Sequence, residues 1–95
     1  MARFRVAHLH ERGQDIIIVL LDQSFGCKSN MKQNRICAGI QACATVAGLA
    51  GTVVPVWDGG GGRMAFLAPQ PWHPFFQNMT LATVAANINR ELTCG

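Results

Sequence analysis

The fold of this chain is decided by one apolar segment, residues 15–21, which reads DIIIVLL. Every side chain from Ile16 to Leu21 is apolar, whereas a strand with one solvent-exposed face alternates apolar and polar residues. The apolar run is far shorter than the ~18 residues that a membrane helix needs. We therefore predict a central strand of a sheet, with both faces of the strand covered.

The segments next to this strand predict a hairpin and a helix. Residues 4–9 form a first strand, and residues 11–14, which read ERGQ, have the length and the glycine of a hairpin turn. After a loop at 22–29, Asn30 and Gln33 have the spacing of a capping box that begins a helix. The apolar face of this helix, which ends at Gly48, consists of Ile36, Ile40, Cys43 and Ala47.

The second half of the chain repeats this plan. Strands are predicted at 52–57 and 64–68, around a glycine-rich turn. A loop of prolines and aromatic residues at 69–76 leads to a helix capped by Asn78 or Thr80. The apolar positions of this helix are Leu81, Val84, Ala85, Ile88 and Leu92. Few residues are identical when the two halves are aligned, so chance agreement is the alternative to an internal repeat.

The predicted fold class is α+β, in a single domain at residues 1–95. It is a two-layer sandwich with a ββαββα pseudo-twofold repeat, whose ββα units lie at 3–49 and 52–93. A four-stranded antiparallel sheet, in the order 1-2-4-3, carries both helices on one face. This order leaves Pro55, which has no backbone N–H to donate, on an edge strand.

The composition excludes a disordered chain and bears on location and partners. Hydrophobic residues make up 49% of the chain and charged residues only 14%, whereas disorder needs low hydrophobicity and high charge.

The N-terminus lacks an apolar stretch long enough for a signal peptide, so we expect a cytoplasmic protein without a membrane partner. The net charge of +3 is low for a nucleic-acid binder. Weak nucleic-acid binding stays an alternative through Arg3, Arg5, Lys28, Lys32 and Arg35.

The apolar surface exceeds what the predicted two-layer fold can bury. Both helices cover one face of the sheet, but the strand at 15–21 is apolar on both faces. Exposing three large aliphatic side chains forfeits roughly 1.5–3 kcal/mol each, which rivals the whole stability of a small domain. We therefore expect a homodimer that covers the second face. The alternative is that residues 69–76 fold back over this face as a lid.

Basic residues gather where the first helix begins. Cations are unfavourable at a helix N-terminus. A position where the sequence departs from such a structural preference can mark a functional site. Free backbone N–H groups, hydroxyls and cations together suit a small anion or a phosphate group. The candidate anion-binding residues are Lys28, Ser29, Asn30, Lys32 and Arg35. The alternative is that these side chains are solvated and bind nothing.

The cysteines suggest a second alternative function. Cys27 is the candidate reactive thiol, because it lies beside Lys28 just before the helix, a setting that lowers a thiol pKa. A thiol-based enzyme or redox sensor would be centred there. Cys37 and Cys43 lie on different faces of the helix, and we interpret both as small buried hydrophobes.

Signatures of catalysis are missing from the sequence. It has no paired carboxylates at acid–base spacing, no nucleophile with an identifiable base and no cofactor fingerprint. His8 and His10 alternate onto one strand face, but a third ligand is not evident, so we predict no metal and no cofactor. Our main interpretation is a small non-catalytic binding module that acts as a homodimer or with a protein partner.

Aromatic residues are the candidate interaction residues. Three prolines stiffen the segment 69–76, which carries three of the seven aromatic residues. Rigid aromatic side chains lose little entropy on association and are favoured as interface anchors. The candidates are Trp57, Trp72, Phe75 and Phe76. The alternative is that these side chains are a lid over the core.

Overall fold

Residues 15–20 lie in the middle strand of a five-stranded mixed sheet in the computed structural model, which describes residues 2–11 and 13–94. The strands are β1 (Ala2–Glu11), β2 (Gln14–Leu20), β3 (Thr52–Asp58), β4 (Met64–Phe66) and β5 (Arg90–Cys94). The α-helices are α1 (Asn30–Val46), α2 (His73–Gln77) and α3 (Leu81–Ala86), and 3-10 helices Gln23–Cys27 and Gln70–Trp72 precede the first two. The order is β4-β3-β2-β1-β5, with β2 and β3 parallel and the other neighbours antiparallel. The fold class is α+β.

The middle strand β2 is covered on both faces, as its sequence predicts. On one face, Ile17 shares a core cluster with Ile40 of α1. On the other face, Ile18 shares a second cluster with Phe76 of α2 and Val84 of α3. Both isoleucines are fully buried. An apolar run without alternation is thus explained by two cores, one on each side of the sheet.

The predicted two-layer sandwich with its ββαββα repeat is not confirmed, because helices lie on both faces of the sheet. The first helix covers one face, and the α2 and α3 helices cover the other. The segment 69–76 contributes buried Phe76 to the second core, which is the role of a lid. The chain therefore covers the apolar strand face for which the sequence suggested a partner subunit.

The predicted four-stranded antiparallel sheet in the order 1-2-4-3 is not confirmed either. The α1 helix is a crossover connection, so β3 pairs in parallel with β2 and lies inside the sheet. Pro55 is therefore not on an edge strand. The Pro55 carbonyl accepts a hydrogen bond from the Leu67 N–H at 3.1 Å. Because the nitrogen and the carbonyl of a strand residue point to the same side, the Pro55 nitrogen also faces the β4 side. The ladder to β4 begins only at Val56, and the missing N–H removes no bond to β2.

The second predicted helix ends early, and its last residues form a strand. The α3 helix ends at Ala86, and the Asn87 side chain donates to the Thr83 carbonyl at 2.8 Å. Asn89 then bonds to β1, because its side chain accepts from the His8 N–H and donates to the His8 carbonyl. Leu92, predicted on a helix face, is buried in β5. The β1 strand extends beyond its pairing with β2, and this extension provides the edge that β5 occupies.

The α1 helix begins and ends close to its predicted bounds, but its cap differs. Ser29, rather than Asn30, is the N-cap, and its hydroxyl accepts from the Lys32 N–H. Gln33 is buried, and its side chain donates to the Phe25 carbonyl at 3.0 Å instead of closing a capping box. Gly48 follows the helix end with a φ of +79°, as the sequence predicts for a stop.

A disulfide joins the α1 helix to the edge strand β5. It links Cys43 and Cys94, whose Cα atoms are 5.6 Å apart and which lie 51 residues apart in sequence. Cys43, which we interpreted as a small buried hydrophobe, is instead half-buried and disulfide-bonded. The pattern around Cys43 indicates only a helix, whereas its partner lies in a strand that no local pattern predicts.

None of the helices in the described residues has the length and apolarity to cross a bilayer.

Candidate functional site

A cavity of about 490 Å³ opens between the β1–β2 hairpin and the α2 helix. We call it the hairpin pocket. Most of its wall is apolar, and its polar side chains come from both the sheet and the helices. The apolar lining residues are Ile16, Pro71, Trp72, Pro74, Phe75 and Met79, and the polar ones are Glu11, Gln14, Asn78 and Thr83.

Prolines build the helical wall of the pocket. Pro71 and Pro74 occupy the first turns of the 3-10 helix and of α2, where the fixed φ of proline suits a helix start and the missing N–H costs no bond. The wall is also tied to the sheet. The His73 side chain hydrogen-bonds the Ala68 carbonyl at 2.9 Å and packs edge-on against Phe66. The segment is thus held at the start of its short helix.

One buried ring orients the aromatic residues of the wall. Phe76 is 1% exposed and packs on Phe66, with ring centroids 5.4 Å apart. Phe75 meets Phe76 edge-on at 5.1 Å. With Phe76 directed into the core, Phe75 and Trp72 lie one helical turn apart and remain half-buried on the pocket side. The wall therefore presents two aromatic rings on an anchored helix.

The sheet side of the pocket is the end of the hairpin. Glu11 and Gln14 are directly opposed across the turn, and Ile16 lies two residues further along β2 on the same face. Ile16 is buried, while Glu11 and Gln14 are exposed. Glu11 is the one charged side chain among the described residues that line the pocket. The floor is therefore apolar, and the mouth carries a carboxylate.

The predicted interaction residues divide into two groups. Trp72 and Phe75 line the pocket, whereas Phe76 and Trp57 are buried on opposite faces of the sheet. The Trp57 ring lies 4.8 Å from the ring of Phe25, on the α1 side of the sheet. Trp57 ends a predicted strand and Trp72 lies in the proline-rich segment, and the packing shows that Trp72 is the accessible one.

The predicted anion-binding residues are all exposed and surround the start of α1. Ser29 is occupied as the helix cap, since its hydroxyl accepts from the Lys32 N–H at 3.2 Å. Lys28 lies just before the cap, and its own N–H donates to the Phe25 carbonyl. These backbone bonds account for part of the donor set that an anion would use. An anion site here stays a prediction.

Two cysteines in the described residues are free thiols. Cys27 is exposed at the end of a 3-10 helix, so a reagent can reach it. Cys37 is half-buried on α1, and burial raises the pKa of its thiol, partly offset by a backbone hydrogen bond. The described residues contain no group of three or more His, Cys, Asp and Glu side chains that could hold a metal ion. The reactivity of Cys27 stays a prediction.

A second, shallower groove lies at the carboxyl ends of β2 and β3. It contains Arg5, Asp22 and Asp58 among its lining residues. Asp22 accepts bonds from the Gln23 N–H and the Ser24 hydroxyl, and Asp58 accepts from the Gly60 N–H. Both carboxylates are therefore engaged in capping their own turns. The hairpin pocket, with its aromatic wall, is the better candidate site.

Sequence reasoning finds only half of the hairpin pocket. The proline and aromatic content of 69–76 indicates Trp72 and Phe75. The other half, which includes Glu11, Gln14 and Met79, carries no signal, since nothing local brings a hairpin end against a helix.

Comparison with known proteins adds no functional information for this chain. No protein-family model matches it, and neither a curated protein nor a solved structure matches it. Any function has to be inferred from the chemistry of its own residues. Among the described residues, that chemistry is most developed at the hairpin pocket.

Proposed function

We propose that this chain is a small non-catalytic binding module and that the hairpin pocket binds its ligand. One observation carries the proposal: Trp72 and Phe75 stay accessible in a cavity of about 490 Å³ while Phe76 anchors their helix in the core. Small-ligand sites have volumes of roughly 300–1,000 Å³ and mostly apolar walls with a few polar groups. A prearranged aromatic wall also lowers the entropy lost on binding.

The lining residues favour binding over catalysis. They include one carboxylate, two amides and one hydroxyl, and no histidine, cysteine or lysine is among the described lining residues. The Thr83 hydroxyl shares a hydrogen bond with the Thr80 hydroxyl at 3.0 Å, which fits a helix cap rather than a nucleophile with a base. A ligand held here would meet apolar walls and hydrogen-bonding groups at the mouth.

Binding of a simple aromatic probe tests the proposal. We would titrate the protein with 2-phenylethanol and follow the indole N–H resonances of Trp72 and Trp57 by NMR. The Trp72 signal should move and the buried Trp57 signal should not. Phe75→Ala should weaken binding by about tenfold, equal to ~1.4 kcal/mol. Met31→Ala, which removes an exposed apolar side chain from α1, is the matched control and should change nothing. Equal affinities for the two variants would refute the site.

Self-association stays a proposal on weaker grounds. The chain's own helices cover the second sheet face, which was the reason for expecting a homodimer. Exposed apolar side chains remain at Met31 and Val46 on α1, 71% and 89% exposed. Sedimentation velocity at micromolar concentration tests self-association. The mass of a dimer supports it, and the mass of a monomer excludes it at that concentration.

The disulfide bears on the proposed cytoplasmic location. Disulfides persist in oxidising compartments and are rare in the cytosol. A cytoplasmic protein would therefore hold Cys43 and Cys94 mostly as thiols. This location requires a fold that is stable without the bridge, which unfolding measurements in reductant can test.

A further inference from the structure

We propose that the hairpin pocket selects a small organic cation, namely an amine or guanidine on an apolar body, with the Glu11 carboxylate as its counter-ion. This inference rests on the proposed function and names the ligand class of the same pocket. It follows from three features of the lining: the sign of its charge, its aromatic rings and the acceptor oxygens of its polar side chains.

The charged side chain that lines the pocket is acidic, although the protein as a whole is basic. The chain has a net charge of +3, with eight Lys and Arg residues, yet the one charged side chain lining the pocket in the described residues is Glu11. Charges more than about 10 Å away are largely screened at 0.1 M salt. Among the described residues that line the pocket, the Glu11 carboxylate is the charge that would act on a ligand at the mouth. It attracts a cation and repels an anion.

The aromatic wall suits the same ligand. The faces of Trp and Phe rings carry partial negative charge and attract ammonium and guanidinium groups within about 6 Å. Trp72 and Phe75 lie on the helical wall, and Glu11 lies on the opposing hairpin. A cation between the two walls would meet a carboxylate on one side and aromatic rings on the other. A neutral ligand of the same shape would gain only the apolar contacts.

The remaining polar side chains offer oxygen atoms to a donor. The Asn78 amide nitrogen donates one of its hydrogens to the Pro74 carbonyl at 3.1 Å, and the amide oxygen is an acceptor for a ligand. The Gln14 amide and the Thr83 hydroxyl also have acceptor oxygens. An ammonium group has three donors and no acceptor. These oxygens can accept hydrogen bonds from an ammonium group, while the Glu11 carboxylate would attract an amine and repel a carboxylate ligand.

Three probes of one skeleton test the inference: 2-phenylethylamine, 2-phenylethanol and phenylacetate. The dissociation constant of each is measured by NMR titration at pH 7 for the wild type and for Glu11→Gln. We expect the amine to bind about fivefold more tightly than the alcohol, the size of an exposed ion pair, and the acid to bind more weakly than both. Glu11→Gln should remove the preference for the amine and leave the alcohol's affinity within about twofold.

Glu91→Gln is the matched control. Glu91 is an exposed glutamate on β5, paired with Arg3 and absent from the pocket lining, so this variant should keep the amine preference. Added salt should weaken binding of the amine and leave the alcohol unaffected, which tests the ion pair without any mutation.

The outcomes separate the inference from the proposed function. Binding of amine and alcohol with equal affinity to the wild type overturns the cation selectivity and leaves a neutral apolar pocket. An amine preference that survives in Glu11→Gln also overturns it, because another group must then supply the charge. Failure of all three probes to shift the Trp72 resonance removes the pocket itself as a binding site.

Discussion

Cys43 on α1 and Cys94 on β5 are bonded across the α1 face of the sheet, with Cα atoms 5.6 Å apart. The bridge connects the longest helix to the last strand, and Leu92 in that strand is buried in the same core as Ile40. Within the part of the chain that the structure describes, β5 pairs only with β1, so the disulfide is a second attachment for an edge strand of five residues.

Removing the disulfide should lower the free energy of unfolding. A bridge across 51 residues restricts the unfolded chain, and such bridges typically contribute about 2–4 kcal/mol. We expect this loss for Cys94→Ala in urea unfolding. Cys27→Ala, which removes an exposed thiol, is the control and should unfold as the wild type does. An unchanged midpoint for the wild type in strong reductant would contradict the assigned role.

Gly26 is the site where a single methyl group should be poorly tolerated. A Cβ there would lie 2.6 Å from Nε1 of Trp57, which already packs against Phe25. Overpacking of this kind costs about 1–3 kcal/mol, so we expect Gly26→Ala to be destabilised and its tryptophan emission to shift.

Gly39→Ala is the matched control for that variant. Gly39 lies in α1, where an added Cβ would meet no neighbouring group within 4 Å. Alanine is the better helix former, so stability should rise by about 0.5–1 kcal/mol. Equal stability of the two variants would mean that a methyl group at position 26 fits without a clash, which would contradict the close approach of Trp57.

Phe76 should be essential for covering the second sheet face. It is 1% exposed and belongs to the core cluster of Ile18 and Val84. Truncating a buried phenylalanine to alanine costs about 3–5 kcal/mol, and the exposed strand face should then bind an apolar dye. Leu67→Ala, at an exposed position, should stay within about 0.5 kcal/mol of the wild type. A similar small change for Phe76→Ala would show that the second face is not held by this ring.

Cys37 should titrate at higher pH in the folded protein than in the unfolded chain. Burial raises the pKa of its thiol, so the folded state retains the proton longer. It follows that the contribution of Cys37 to stability falls as pH rises above the ordinary thiol pKa. Iodoacetamide labelling against pH, read for the Cys37 peptide by mass spectrometry, should show a higher midpoint without urea than with it. Coincident midpoints would contradict a buried thiol.

The secondary structure was predictable wherever a local signal was strong. The unbroken apolar run at 16–21 identified a strand covered on both faces, and Gly48 marked the end of α1. Thr80, one of two predicted caps, is the N-cap of α3. The prediction failed at residues 87–94, where Ile88 and Leu92 have helical spacing but the Asn89 side chain bonds to the backbone of His8. That bond joins residues 81 apart, and no local pattern reports it.

The amino-acid sequence by itself determined the hairpin, the long helix and the need to bury β2 on both sides, because these depend on the periodicity and chemistry of neighbouring residues. Tertiary structure alone decided that β3 runs parallel to β2, that β5 joins the sheet and that Cys43 bonds to Cys94. It also decided that Glu11 faces Trp72 and Phe75 across one pocket. These outcomes depend on contacts between distant segments, whose free energies are set by packing that a single segment does not encode.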